Sequence, residues 1–379
     1  MTDLVDRVLI VGGGIAGTSL ALELARRGVE ARILEKEPVW GAAGTGITLM
    51  GPALRALESL GVLDECLEHG CGFTEMTLFN AAGESIGVVE LQQLLGPDRP
   101  AIAGMMRPLL HQVLANAALS AGVTVTTDAS VSKITDIGDS VRVGLTDGTT
   151  DEVDLVVGAD GTHSEVRRLL FGADAPTPED LGQIVWRALV PRPGAATGES
   201  QFYGPRTKTG FTPISDQQMY MFLVEPNPDN LLPAPEHRPA RMRELLEPFG
   251  GLIAELRQTI TSPDQVDARS LLSMLLPAPW YRGRTILIGD AAHATTPHLA
   301  MGGAIALEDA IVLADLLGVH QDIESALSTF MSLRFERCRM VVDNSAQLSI
   351  WEKDPVDHSE AAARLQADSF AALAAPITV

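Results

Sequence analysis

Cysteine is almost missing from this chain. Three thiols in 379 residues, Cys66, Cys71 and Cys338, cannot all pair with one another, and none forms a C-x-x-C. That excludes a disulfide framework and fits a reducing compartment. Basic residues are also scarce, with 28 Lys+Arg against 49 Asp+Glu and a formal net charge of −21. Such a chain is repelled by phosphate backbones and anionic headgroups, so neither nucleic acid nor a charged membrane is expected as a partner. The acid is dispersed rather than gathered in a tail, which suits solubility. No apolar run approaches the ~18 residues that a membrane span needs. The first strand starts soon after Met1 with no secretory pattern ahead of it, so a cytoplasmic protein is expected. No H-E-x-x-H or cysteine cluster suggests a metal, and no G-x-S-x-G suggests a hydrolase. No internal repeat or low-complexity tract is visible.

What is present is concentrated near the start. Arg7 to Glu35 reads RVLIVGGGIAGTSLALELARRGVEARILE: a buried strand, a glycine turn, a helix and a second strand. Gly12, Gly14 and Gly17 fit G-x-G-x-x-G. One glycine permits the tight turn, one lets backbone approach a pyrophosphate, and one lets helix and strand pack closely. The helix start then offers unpaired N–H groups and a positive dipole end to phosphates. Glu35 follows Gly12 by 23 residues, near the spacing at which a carboxylate meets an adenosine ribose. An acid there favours FAD or NAD over NADP and leaves the first two open.

At 379 residues the chain exceeds the usual ~100–200 residues of one domain. Lys36 to Gly51 reads as a loop and Pro52 to Leu63 as a helix. Thr74 to Leu91 has the pattern of a hairpin, and Met105 to Ala121 that of a helix headed by Arg107. Strand-like runs follow, the last from Glu152 to Val157. From about Ala173 to Pro279 prolines multiply and short strands dominate, interrupted by one helix-like run from Arg238 to Thr259. Thr285 to Ile288 is another buried strand, and Lys353 to Pro376 a terminal helix. The fold class expected is α/β. A discontinuous Rossmann-like domain (1–73, 101–172 and 280–350) is joined by a second, β-rich substrate domain (74–100 and 173–279) and a C-terminal helical tail (351–379).

Two further motifs lie downstream. Val157-Gly158-Ala159-Asp160-Gly161 runs from strand into a turn, where Ser164 can cap a helix. Ile288-Gly289-Asp290-Ala291-Ala292-His293 is followed by Pro297, Gly302 and Gly303 and a helix-like run from Ala304 to Leu317. The three motifs in this order resemble the single-component flavin-dependent aromatic hydroxylases, over nearly the whole chain. The resemblance implies FAD at the first motif, with Gly12, Gly14 and Gly17 at the pyrophosphate and Glu35 at the ribose. It implies that Arg107 meets the phosphate and ribityl region, and that Asp160 serves both flavin and pyridine nucleotide. Asp290 would meet the ribityl chain and Pro297 lie beside the isoalloxazine. Where the family often has Gly-Gln-Gly, this chain has Ala300-Met301-Gly302-Gly303. The backbone N–H groups of that helix start are expected to face the flavin's pyrimidine edge.

The implied reaction uses NADH or NADPH as transient reductant and O2 as oxidant, and hydroxylates a small aromatic substrate through a flavin hydroperoxide. Arg187, mid-strand in IVWRALV, is either a solvent-facing lobe residue or an anchor for an anion or phenolate. His298 can act as acid or base near neutral pH, or simply be solvated, whereas His293 is expected to pack behind Asp290. The alternatives are a flavin-dependent halogenase or reductase of the same fold, or a non-catalytic flavin-binding protein. The halogenase signature W-x-W-x-I-P is absent. A monomer or homodimer, with no separate pyridine-nucleotide domain, is expected.

Overall fold

Val8 to Val11 are buried apolar residues, which places the first strand inside a sheet rather than at its edge. In the computed structural model, which describes residues 4–42, 44–204, 207–229 and 231–379, Arg7–Val11 pairs in parallel with Glu30–Leu34 on one side and Leu155–Gly158 on the other. Thr124–Thr126 extends this sheet beyond the second strand. Thr285–Leu287 and then the short antiparallel Tyr281–Arg282 extend it beyond Leu155–Gly158, giving six strands. Helix Ile15–Arg26, buried from Ala16 to Leu24, packs against helix Gly302–Val319, which is itself buried on most of its surface. All three glycine motifs therefore open at the carboxyl ends of parallel strands, where α/β sheets bind ligands.

The second large sheet has seven strands, ordered Val266–Ser273, Glu179–Pro191, Gln218–Pro226, Lys208–Pro213, Glu199–Tyr203, Glu75–Asn80 and Ser85–Glu90. The expected hairpin joins it through parallel pairing of Glu75–Asn80 with Glu199–Tyr203. Alternation sorts its two faces. Trp186, Ala188, Phe202, Phe211, Met221 and Leu223 pack on one face under Met242, Phe249 and Ile253. The opposite face carries Arg187, Tyr220, Phe222, Thr212, Lys208 and Glu199.

A three-stranded sheet of Gly46–Met50, Ile102–Met106 and Cys71–Phe73 lies against that opposite face. Two glycines allow the contact. A Cβ on Gly46 would sit 1.9 Å from the Tyr220 ring, and one on Gly104 2.2 Å from Pro213 O. Where a loop was expected before Gly51, the chain thus forms a strand.

Other local readings are revised by tertiary contacts. The expected strand Glu152 to Val157 is two strands. Thr150–Val153 belongs to a small antiparallel sheet with Val141–Leu145 and Val131–Asp136, and Leu155–Gly158 to the parallel one. Between them the Asp154 carboxylate accepts the N–H groups of Asp6 and Arg7, each at 2.8 Å. The run Arg238 to Thr259 is broken into Arg238–Leu245 and Gly251–Leu256. Helix Ile323–Lys353 spans 31 residues, and Ser359–Ala374 follows after a bend.

Candidate functional site

Gly13, in the middle of the first glycine motif, is held from both sides. Its N–H donates to Glu35 Oε2 at 3.0 Å. Its carbonyl accepts from Thr18 Oγ1 at 3.0 Å and Trp40 Nε1 at 2.9 Å, and lies 2.7 Å from His111 Nε2. That carbonyl can only accept, so His111 carries its proton on Nε2. The helix that follows has neither a capping side chain nor an acid in its first turn, so its first N–H groups keep their hydrogen-bonding capacity for a ligand. The glycines divide the work. Gly12 adopts φ of +105°, a Cβ on Gly17 would lie 2.1 Å from Gly12 O, and a Cβ on Gly14 would meet nothing within 4 Å.

In the second motif the Asp160 carboxylate accepts the N–H groups of Glu165 and Val166 at 2.7 and 3.0 Å and the Ser164 hydroxyl. Both carboxylate oxygens of Asp160 are therefore engaged at the start of helix Glu165–Phe171. Arg167 follows on the same helix. Its guanidinium, buried, donates to Thr162 O at 2.7 Å and to Ala291 O at 2.9 Å, tying the second motif to the third.

The third motif contains a buried charge cluster that sequence reading missed. Asp309 Oδ2 accepts Gly289 N–H at 2.9 Å and lies 2.6 Å from His293 Nε2. Asp309 Oδ1 accepts from Arg334 Nε at 2.7 Å, and Arg334 Nη1 donates to Glu308 at 2.8 Å. Burial alone would raise the Asp309 carboxyl, but His293 and Arg334 outweigh it and hold it at about 2. Burial likewise opposes the His293 imidazolium, yet the Cys338 sulfur and Asp309 keep its pKa well above the ordinary value. His293, Asp309 and Cys338 have ligand atoms within 4.8 Å of one another. The guanidinium of Arg334 already supplies the cation there, so the cluster positions Gly289 and Asp290 rather than holding a metal. His293 lies behind Asp290, as expected.

Asp290 itself is solvent-accessible, and among the described residues no hydrogen bond or ion pair engages its carboxylate. It sits deep in a recess. The surrounding protein raises its carboxyl although His293 and Arg107 pull the other way. Arg107, exposed at the start of helix Arg107–Ser120, also lacks a side-chain partner among the described residues. Arg187 reaches the same recess from the seven-stranded sheet, and burial together with the charge of Arg107 lowers its pKa. Helix Gly302–Val319 starts nearby without a capping side chain or a first-turn acid. Gly303 lies against Ile47 of the strand that crosses the sheet, a Cβ there being 3.5 Å from Ile47 Cδ1.

The expected site residues therefore divide. Gly12, Gly14, Gly17 and Glu35 form one end of a groove, and Arg107, Asp290, Arg187, Gly302 and Gly303 surround the recess at the other. Pro297 opens the 3-10 turn Pro297–Leu299 beside it. His298 does not face substrate space, which corrects its expected role as an acid or base. Its Nδ1 is 2.8 Å from Thr296 Oγ1 and its Nε2 3.0 Å from Glu352 Oε2, and the side chain is buried. Burial and Lys208 lower its pKa, so the ring is neutral. Among residues the sequence did not flag, Trp40 and His111 carried no motif signal, although His111 lies one helical turn after Arg107. Tyr220, Thr48 and Thr212 form a hydroxyl cluster where the three-stranded sheet of Gly46–Met50 meets the seven-stranded sheet. Glu199 lies in the same row, buried, with Oε2 unpartnered among the described residues and its carboxyl raised to about 7 chiefly by burial.

A dinucleotide fits this groove. Two uncapped helix starts, an open space at Gly14 and the partnerless Arg107 and Asp290 supply donors, clearance and an acceptor. Residues 6–345 match the model of a family described as FAD binding domain. The chain is 32% identical over 356 residues to the aurachin C monooxygenase/isomerase of Stigmatella aurantiaca, covering 91% of this chain and 90% of that protein. It is 33% identical over 355 residues to the 2-heptyl-3-hydroxy-4(1H)-quinolone synthase of Pseudomonas aeruginosa, with 91% and 90% covered. Its fold is similar to that of Klebsiella pneumoniae HpxO complexed with FAD and uric acid, with a TM-score of 0.84, 22% identity and 98% of each chain covered.

Proposed function

The chain belongs to the FAD-binding-domain family of FAD-dependent monooxygenases, and from that membership we propose that it hydroxylates a particular class of substrate, a small aromatic or heteroaromatic ring such as a quinolone. One observation carries the site assignment: Arg107, Asp290 and Arg187 converge on one recess, and among the described residues none of the three has a side-chain hydrogen-bond partner. A fold leaves charges unpaired in such a place when a ligand completes them.

FAD supplies the redox chemistry by which NAD(P)H and O2 convert a ring C–H to C–OH, with NAD+ or NADP+ and one water as the other products. The chain's own residues have narrower tasks. The Gly12–Gly17 turn and Glu35 hold the nucleotide half, Arg107 a phosphate, and Asp290 a ribityl hydroxyl. The N–H groups at Gly302 and Gly303 stabilise negative charge at the near edge of the ring system. Arg187 anchors an anionic oxygen of the substrate, while Tyr220 and Phe222 form an apolar wall that keeps water from the reacting ring. Pro297 stiffens the turn beside the ring, and His298 positions that turn rather than titrating with substrate.

The division of the chain at 74–100 and 173–279 gains support from the pairing of both segments within the seven-stranded sheet. No helix among the described residues is long and apolar enough to cross a membrane. The protein is placed in a reducing compartment, where its three thiols stay free, and its assembly is a monomer or homodimer. The deciding experiment measures bound FAD and then screens quinolones, phenols and heteroaromatic acids for stimulated NAD(P)H oxidation and a product one oxygen heavier. Absence of such a product across the screen would sink the hydroxylase reading. Retained oxidation without oxygen insertion would point to a reductase.

A further inference from the structure

Beyond the recess lies a cavity of about 230 Å³ whose walls include Met50, Leu91, Leu94, Ile102, Met301 and Phe370. We propose that this cavity is a subsite for an apolar alkyl substituent on the aromatic substrate, and that the terminal helix Ser359–Ala374 forms its outer wall. The proposal rests on the hydroxylase reading and specifies which ring substituents that site accepts.

Two observations connect the cavity to the reacting position. Met301 immediately precedes Gly302, whose N–H begins the helix at the recess, and Met301 is itself buried. Met50 lies two residues beyond Thr48 on the same strand, hence on the same face, and Thr48 shares hydrogen bonds with Tyr220 and Thr212 on the substrate-facing sheet. Gly46 and Thr48 close that face over Tyr220, so a substituent enters the cavity past Met301 and is received by Met50 and Ile102, which pair across neighbouring strands.

The wall is a built element. Arg55 Nη1 donates to Ala374 O at 2.7 Å, and Arg337 Nη2 to Leu373 O at 2.9 Å, completing carbonyls left open at the helix end. Both arginines are held by Glu308, at 3.6 Å from Arg55 and 2.7 Å from Arg337. Glu308 belongs to the helix that starts at Gly302, so the wall and the recess are referenced to one rigid rod. Small residues at Ala367, Ala371 and Ala374 keep the space open, and Ala367 and Ala371 are exposed at its mouth. Methionines at both ends suit a flexible chain, since their side chains repack around ligands of different length. An apolar cavity of ~150 Å³ accepts benzene, so a medium-length alkyl chain fits this one.

The test uses the FAD-loaded protein and a probe series, 4-quinolones bearing 2-methyl, 2-propyl or 2-pentyl groups, with binding measured by titration calorimetry. Affinity should rise about fourfold per added methylene. Ala371→Trp and Ala367→Trp place an indole at the exposed mouth without touching the buried core. Each should flatten the dependence on chain length while the 2-methyl compound binds as in wild type. Affinity independent of chain length in wild type, no binding by any member, or an unchanged slope in both folded variants would overturn the subsite. Hydroxylation of an unsubstituted ring separates the two readings. Its retention alongside a flat slope removes only the subsite, whereas its loss alongside a steep slope removes only the hydroxylase reading.

Discussion

His298 Nε2 lies 3.0 Å from Glu352 Oε2, joining the turn beside the recess to the last residues of the 31-residue helix. Glu352 also pairs with Lys208 of the seven-stranded sheet and accepts from Gln183 Nε2 at 3.2 Å. One carboxylate thus ties together three elements that share no sequence neighbourhood. Burial opposes its charge, yet Lys208 and His298 hold the Glu352 carboxyl well below the ordinary carboxylate range. Because its folded pKa is depressed, its contribution is present above the unfolded value of about 4.3 and lost as pH falls through the folded one. His298, kept neutral, adds a loss as pH falls below about 6.5, where the unfolded ring takes up a proton. Glu352→Ala should destabilise the protein by roughly 1.5–3 kcal/mol at pH 7.5, the range for a hydrogen bond to a charged group. Thermal melts from pH 5 to 8 check this, and a variant as stable as wild type would remove the strut.

Asp309 and Arg334 are both fully enclosed, so neither can turn to water when the other is removed. Asp309→Asn should cost ~3–5 kcal/mol, as for a broken buried pair. The wild-type contribution of Asp309 should disappear as pH falls from about 3.9, its unfolded value, towards about 2. The His293 contribution has the opposite sign. It is complete below about 6.5 and is lost as pH rises through the elevated folded value. Since Asp309 also fixes Gly289 N–H, the variant should release FAD more readily. Urea melts combined with FAD titration measure both effects, and unchanged values for both would show the cluster to be incidental.

How far these features could be read from sequence depends on whether their causes are local. The first strand, turn and helix were legible because the apolar run and the spacing of Gly12, Gly14 and Gly17 lie within a dozen residues. Strand Gly46–Met50 was not, because its small residues look like a loop until Tyr220 arrives against Gly46. The helix break at Gly250 and Gly251 had a local signal in the paired glycines. Its reason is distant, since a Cβ on Gly250 would meet Ala82 O at 2.4 Å. His298 looked available as an acid or base because its partner, Glu352, is 54 residues away. Asp160 kept its motif but acquired a local duty, the helix cap that Ser164 had already announced. Arg187 was left between two readings by alternation alone. The structure adds the recess and the neighbouring Arg107, and these favour the anchor.

Glu199 provides a pH test in the other direction. Burial raises its carboxyl to about 7, with Gln201 and Thr212 only partly offsetting the effect. A raised folded pKa means that the folded chain binds the proton more tightly. Stability is then highest below about 4.3 and falls as pH rises towards about 7. Glu199→Gln keeps the shape and removes the ionisation. It should exceed wild type by roughly 1.5 kcal/mol near pH 5.5 and by roughly 3.5 kcal/mol near pH 8.5. Parallel melts at the two pH values decide the matter, and a pH-independent difference would mean that Glu199 does not titrate in this range.

The last prediction separates the three glycines of the first motif by their physical roles. Gly12 has φ of +105°, and a Cβ there would lie 2.4 Å from Ala159 O, so Gly12→Ala meets both backbone strain and a clash. Gly17→Ala would press a methyl to 2.1 Å from Gly12 O, forcing helix and turn apart. Each should destabilise the FAD-free protein by about 1–3 kcal/mol or more. Gly14 differs. Its φ of −77° and ψ of −170° are open to alanine, and no protein atom lies within 4 Å of the added carbon. Gly14→Ala should therefore melt with wild-type stability when FAD is absent and still bind FAD at least about tenfold more weakly, the equivalent of ~1.4 kcal/mol. Only a ligand can collide with that methyl. Urea denaturation of the stripped protein and FAD titration of the refilled one give the two numbers independently. Wild-type FAD affinity in Gly14→Ala would move the pyrophosphate elsewhere, and wild-type stability in Gly17→Ala would refute the close packing of helix against turn.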